Sequence, residues 1–131
     1  MKGKVLKAWC AAWIDTEGSI GLYGKNRHSL RIEIHQKDIR PLKIIRSYYG
    51  GTIHERKKDG ILTGCHKLHV DSSKAYLFLK DAVPYLVVKR EKAMHLIAIY
   101  EEFGKWTLSF LRKRKLNEYK NKVKSLLVMS S

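Results

Sequence analysis

The 131-residue sequence has no long apolar run, only two prolines and only two cysteines. No stretch approaches the roughly 20 apolar residues that a membrane-spanning helix needs. Two cysteines are too few for a disulfide framework, so we interpret Cys10 and Cys65 as reduced, partly buried apolar residues. Asp15 and Glu17 directly follow the short apolar stretch 8–14, which argues against a secretory signal peptide. We therefore expect an intracellular protein, in the cytoplasm of a prokaryote or in an organelle, that is not secreted.

Acidic residues are also scarce, because 12 Asp and Glu stand against 27 Lys and Arg, for a formal net charge of +15. Such an excess in a small globular chain favours a polyanionic partner, since Lys and Arg neutralise phosphates and release condensed counterions. Charge does not separate DNA from RNA, and membrane surfaces attract cations too. We nevertheless favour nucleic acid as the partner.

Hydrophobic periodicity predicts helix, hairpin, helix, hairpin, helix and then a helical tail. Two hairpins without crossover helices predict an antiparallel four-stranded sheet with helices on one face, which is an α+β fold in one domain, residues 1–131. The predicted helices are 4–16, a segment for which Asp38 is the predicted N-cap, a segment for which Asp71 is the predicted N-cap, 90–103 and a tail at about 105–129. The predicted strands are 19–25, 30–35, 52–57 and 61–70.

The strands alternate between apolar and polar residues, so one sheet face is predicted to meet the helices and the other to meet a wet or charged partner. The residues predicted on this polar face are Tyr23, Lys25, Arg27, Arg31, Glu33, His35, His54, Arg56, Lys67 and His69.

A sequence motif ends the first predicted helix. The run CAAWIDTEGSI, residues 10–20, resembles the LAGLIDADG motif of the homing endonucleases, with Gly18 at the last motif position. It departs from the usual motif at Cys10, Ala12 and Trp13, and it has Glu17 where Asp is commoner. Two further segments, HQK at 35–37 and PYLVVK at 84–89, resemble the family's strand-end glutamine site and the segment that delivers its active-site lysine. The resemblance covers about residues 5–103.

The resemblance implies the catalytic residues Glu17, Gln36, Lys89 and Arg40, with Mg²⁺ held by Glu17 and the backbone carbonyl of Thr16. Phosphodiester hydrolysis commonly uses a divalent cation, and Mg²⁺ prefers oxygen ligands and few carboxylates. Taken singly, Glu17, Gln36 or Lys89 is more often an ordinary surface residue, whereas all three in family order and spacing favour a site. Asp15 is assigned a structural role, bonding backbone near the helix end.

The chain has one motif, and the resemblance implies that a second copy comes from another subunit. Ala8, Ala11 and Ala12 are small and permit close approach of a second helix in a homodimer interface. The alternative is that these alanines pack only within the chain. A symmetric dimer reads two related half-sites, so the expected DNA target is near-palindromic.

The function implied by the resemblance is site-specific cleavage of both strands of a long DNA target, of the intron-homing kind, with the sheet laid in the major groove. In that reading the polar-face residues contact DNA, and the arginines suit guanine. Two alternatives on the same fold are an intron RNA maturase and a DNA-binding regulator without catalysis.

Overall fold

The computed structural model describes residues 3–23 and 29–103, together with residues 121, 124 and 125. The predicted tail at 105–129 lies almost wholly outside these residues, and so do the predicted DNA contacts Lys25 and Arg27. The helices are α1 (Gly3–Glu17), α2 (Ile39–Tyr49), α3 (Ser72–Ala82) and α4 (Arg90–Phe103), with a 3₁₀ turn at Val83–Tyr85. The strands are β1 (Gly18–Tyr23), β2 (Ser29–Gln36), β3 (Thr52–Lys58) and β4 (Ile61–Asp71).

The four strands form one antiparallel sheet in the order β1-β2-β4-β3. The helices contact it from the side of the buried residues, which confirms the predicted α+β architecture. Each strand pairs with its hairpin partner, and the pairing of β2 with β4 joins the two hairpins into one sheet. No helix within the described residues is both long and apolar enough to cross a bilayer.

The alternation of β2 sets the two faces of the sheet. Leu30, Ile32 and Ile34 are fully or almost fully buried beneath the helices, while Arg31 and Glu33 between them are only partly buried. Full burial of an aliphatic side chain contributes about 1.5–3 kcal/mol. A one-residue slip of β2 would expose the aliphatic side chains, so the pattern fixes which side chains face away from the core.

Helix α1 lies on the sheet through Leu6, Cys10, Ala11 and Ile14, all of which are buried. The Cys10 thiol is fully buried rather than partly buried as expected, and burial, then the nearby Asp81 charge, raises its pKa to about 11. Cys65 is partly buried, as the sequence predicts.

Helices α2 and α3 pack together through an aromatic pair. The rings of Tyr49 and Phe78 stack with centroids 4.2 Å apart, and the Tyr49 hydroxyl donates a hydrogen bond of 2.9 Å to Asp81. Burial and this hydrogen bond raise the pKa of Tyr49, so the phenol stays protonated as a donor. The pair holds the helical layer that supports β2 and β4.

Candidate functional site

Three of the predicted catalytic residues come to one end of the sheet. Glu17 is the last residue of α1, and the next residue, Gly18, pairs with Ile34 in the neighbouring strand. Gln36 lies two residues beyond Ile34, where β2 ends. The end of α1 and the end of β2 are therefore adjacent.

Lys89 is brought to the same place by Asp15. The Asp15 carboxylate accepts hydrogen bonds from the backbone N–H groups of Val87, at 2.7 Å, and Lys89, at 3.0 Å. The Lys89 ammonium in turn donates to the backbone carbonyl of Asp15 at 2.8 Å. This reciprocal contact confirms the structural role predicted for Asp15 and places the lysine charge beside the end of α1.

Gly18 permits the junction between α1 and β1. A Cβ atom built at this position would lie 2.8 Å from the Ile14 carbonyl oxygen and 3.2 Å from the Glu33 carbonyl oxygen. Both neighbours are backbone atoms, so they cannot rotate away as a side chain would. The glycine thus sets how closely Glu17 approaches β2.

The Glu17 side chain is exposed and, among the described residues, forms no hydrogen bond or ion pair. It borders a shallow open groove of about 330 Å³ along α1, also lined by Trp9, Ala12, Trp13 and Thr16. No group of three or more His, Cys, Asp or Glu side chains in the described part of the chain could hold a metal ion. A donor set of one carboxylate with a backbone carbonyl still fits Mg²⁺, which commonly keeps several waters and shares its remaining positions with phosphate oxygens.

Gln36 and Arg40 are both engaged locally. The Gln36 side-chain oxygen accepts from the backbone N–H groups of Lys37 and Asp38, and its amide nitrogen bonds to none of the residues that the structure describes. Arg40 forms a two-pronged ion pair with Asp38, the N-cap residue of α2, and its side chain is 84% exposed. These hydrogen bonds lower the pKa of Asp38 to about 2. No hydrogen bond or ion pair joins Arg40 to Glu17, Gln36 or Lys89 within the described residues.

The three interface alanines differ in exposure. Ala12 is exposed and lines the groove, and Ala8 is partly exposed. The expectation for Ala11 is wrong, because its side chain is 0% exposed in the core of its own chain and has no surface left to bury against a partner. Ala11 packs within the chain, which is the alternative that the sequence left open for it.

The outer face of the sheet carries a connected set of polar side chains. The Arg31 guanidinium donates to Asp71 at 2.5 Å and lies over the Tyr23 ring at 5.1 Å. The other oxygen of Asp71 lies 2.9 Å from Nδ1 of His69, and Nε2 of His69 lies 2.8 Å from Nε2 of His54. The set therefore crosses all four strands.

A second group on this face surrounds Glu33, whose side chain is only 14% exposed. Its carboxylate lies within 4 Å of three basic groups, at 3.6 Å from Arg31 and at 3.8 Å from both His35 and Lys67. The exposed Arg56 follows on β3, beside an irregularity in the pairing with β4. These contacts place all described members of the predicted polar face on it except Arg56, where the irregular pairing interrupts the alternation.

Two residues near these sites were not among the predicted site residues. Asp71 was interpreted only as an N-cap, and its contacts with Arg31 and His69 join residues too far apart in sequence for a local pattern to show. Lys92 lies near Lys89, and burial together with the Lys89 charge lowers the pKa of Lys92. Lys92 follows Lys89 by three residues, a spacing that brings side chains close together on a helix, so the sequence alone could have indicated this proximity.

A scan against protein-family models and a search of curated protein sequences found no match. The fold itself is that of the LAGLIDADG homing endonucleases, as solved structures of such proteins show. The homing endonuclease I-CvuI, solved in complex with DNA in the presence of magnesium, has a TM-score of 0.74 at 20% identity, over 95% of this chain and 82% of that chain. The archaeal intron-encoded homing endonuclease I-Vdi141I, solved in complex with DNA, has a TM-score of 0.61 at 19% identity, over 97% and 99% of the two chains. The homing endonuclease I-TnaI has a TM-score of 0.53 at 18% identity, over 92% and 97%.

Proposed function

We propose that this chain is a site-specific DNA endonuclease that works as a homodimer, requires a divalent metal ion and cuts both strands of a long, near-palindromic target. The observation that carries the proposal is the exposed Glu17 carboxylate, without a partner among the described residues, at the same end of α1 to which the Lys89 ammonium is bonded. The fold's solved examples bound to DNA support the choice of substrate.

Glu17 and the Thr16 carbonyl would hold Mg²⁺. When bound, Mg²⁺ stabilises negative charge on the phosphate and lowers the pKa of a coordinated water. Lys89 keeps two N–H donors after its bond to the Asp15 carbonyl, and these would stabilise charge that develops on the phosphate. The Gln36 amide nitrogen, which has no hydrogen-bond partner in the described part of the chain, would donate to a phosphate or water oxygen beside them. Arg40 would contribute a more distant positive charge, because it is paired with Asp38.

Two cuts require two such sites. One chain supplies one exposed carboxylate at the end of α1, that of Glu17. A second copy packed along the Ala8 and Ala12 side of that helix would supply the second carboxylate. The resulting two-fold symmetry makes the two half-sites related, and the four-stranded sheet of each subunit would read one half-site in the major groove.

The test begins with a plasmid library that carries a long randomised insert. Wild-type protein and Mg²⁺ should linearise a sequence-defined subset, and the recovered sites should show related half-sites. Glu17→Gln should abolish cutting of a recovered site while it binds within a few-fold of wild type, because the change removes a metal ligand from the surface and leaves the sheet intact. Gel shift measures binding, and gel electrophoresis of the digest measures cutting.

Glu91→Gln is the matched control, since it removes the same charge from an exposed position in the first turn of α4. It should cut normally. Cutting by Glu17→Gln, or cutting by wild type in excess EDTA, would contradict the proposal. Sequence-selective binding by wild type with no cutting under any divalent metal would instead favour the DNA-binding regulator.

A further inference from the structure

Asp71 is the residue before α3, a position where an aspartate commonly caps the helix through its side chain. Here the carboxylate makes no capping hydrogen bond. It lies instead against the outer sheet face, where one oxygen accepts from Nε of Arg31 and the other bonds to Nδ1 of His69. Burial on its own would raise the Asp71 pKa, but the hydrogen bonds from Arg31 and His69 outweigh it and lower the pKa, so the group is a carboxylate at neutral pH.

The contact with Asp71 fixes the orientation of the Arg31 guanidinium and determines which of its N–H donors remain for a ligand. Its Nε is used by Asp71, Glu33 lies 3.6 Å from one terminal nitrogen, and the Tyr23 ring supports the guanidinium. The terminal amino groups keep the N–H donors that Asp71 does not use. An arginine held in this way presents a donor pair, and a donor pair matches the two acceptors of guanine in the major groove.

Asp71 also determines the tautomer of two histidines. A carboxylate accepts only, so neutral His69 carries its proton on Nδ1 and its Nε2 is an acceptor. Nε2 of His54, 2.8 Å away, must then be the donor, which leaves Nδ1 of His54 as an acceptor. No described residue bonds to that Nδ1. An acceptor there suits the amino group of adenine or cytosine.

We propose that Asp71 is a positioning residue for base recognition, which fixes the donors of Arg31 and, through His69, the acceptor of His54. The inference rests on the proposed function in one respect, that the outer face of the sheet contacts DNA. Asp71 need not touch the DNA itself.

The test is selection of a randomised duplex pool by retention on the protein, at pH 8 and in Ca²⁺, with sequencing of the bound fraction. Asp71→Asn keeps the shape and remains a good N-cap, but its amide offers only one acceptor oxygen for the two donors. Arg31→Ala and His54→Ala first identify the base pairs that depend on each of these side chains. In Asp71→Asn, the preference at those base pairs should fall about tenfold, within the range for one bidentate contact. Preference at the other positions should stay within about twofold. At the base pair that depends on Arg31, the double variant Asp71→Asn, Arg31→Ala should lose no more base preference than Arg31→Ala alone.

Two further variants separate positioning from charge. Asp59→Asn removes the same charge from the β3–β4 turn, where the positive φ suits Asn, and it should change affinity for all sequences alike. Asp71→Glu keeps the charge and moves the carboxylate by one methylene, and it should shift the same base preferences as Asp71→Asn. It also keeps the inference testable if Asp71→Asn does not fold.

The inference is overturned if Asp71→Asn and Asp71→Glu select the same sequences as wild type, or if they weaken all sequences uniformly. A wild-type protein that selects no sequence would overturn this inference and the proposed function together. Selection that depends on Asp71 in a protein that never cuts DNA would support this inference and overturn only the proposed cleavage.

Discussion

At the scale of single residues, Asp15 ties the end of α1 to the segment that carries Lys89. Asp15→Asn leaves one acceptor oxygen for the backbone N–H groups of Val87 and Lys89. The amide NH₂ of the new side chain then faces one of these two donors, which has lost its acceptor. A hydrogen bond to a charged group contributes about 1.5–3 kcal/mol. The free energy of unfolding should fall by about the lower end of that range, because water can reach the exposed Val87 N–H. Cleavage should fall as well, because the Lys89 ammonium loses its fixed position at the end of α1.

Urea denaturation and a cleavage time course measure the two effects of Asp15→Asn. Asp59→Asn, an exposed turn residue, should leave both unchanged. If Asp15→Asn is as stable as wild type, the two backbone hydrogen bonds do not hold the segment. If it is destabilised but cuts at the wild-type rate, the position of Lys89 does not depend on them.

At the scale of secondary-structure elements, the α1–β1 junction depends on the small size of Gly18. Gly18→Ala places a methyl group 2.8 Å from the Ile14 carbonyl oxygen, so α1 must move relative to β2. Overpacking of this kind costs about 1–3 kcal/mol, and it should also reduce cleavage because Glu17 directly precedes the junction. Gly21→Ala in the same strand meets only the Tyr23 ring, at 3.4 Å, and should be tolerated.

Thermal unfolding and cleavage of a recovered site compare these two glycine variants. Equal melting temperatures for Gly18→Ala and Gly21→Ala would show that the close approach at Gly18 does not matter. A destabilised Gly18→Ala variant that cuts normally would show that the junction supports the fold without positioning Glu17.

The same elements show what the sequence predicts and where it fails. Strict alternation in β2 predicts the two sheet faces, because a strand places successive side chains on opposite sides. The hydrophobic pattern of α1 predicts a helix but does not show how wide its buried face is. Ala11 was therefore predicted to contact a partner subunit, whereas it is buried in the core of its own chain. Asp71 was interpreted from its neighbours as a cap, yet its carboxylate bonds to Arg31, 40 residues away in sequence. Local patterns identify elements, whereas contacts between elements decide what a polar side chain does.

At the scale of the whole molecule, two requirements conflict. A net charge of +15 favours DNA but opposes self-association, so a dimer must gain enough from contact along α1 to overcome the repulsion between two basic chains. The groove beside Glu17 offers aromatic surface from Trp9 and Trp13, with the small Ala12 between them in sequence. Salt and DNA both screen the repulsion, so dimerisation should strengthen when either is added.

Ala12→Glu tests whether α1 is the contact, because it would place a charge from each chain at the proposed two-fold axis. Uncompensated like charges there should shift the protein to monomer and abolish double-strand cutting. Ala98→Glu adds the same group at an exposed position of α4 and should leave both properties unchanged. Sedimentation equilibrium with and without the target duplex measures the association. If Ala12→Glu remains dimeric on DNA and cuts both strands, the subunits meet through some other surface. The proposed arrangement, in which contact along α1 brings the two Glu17 side chains together, would then be wrong.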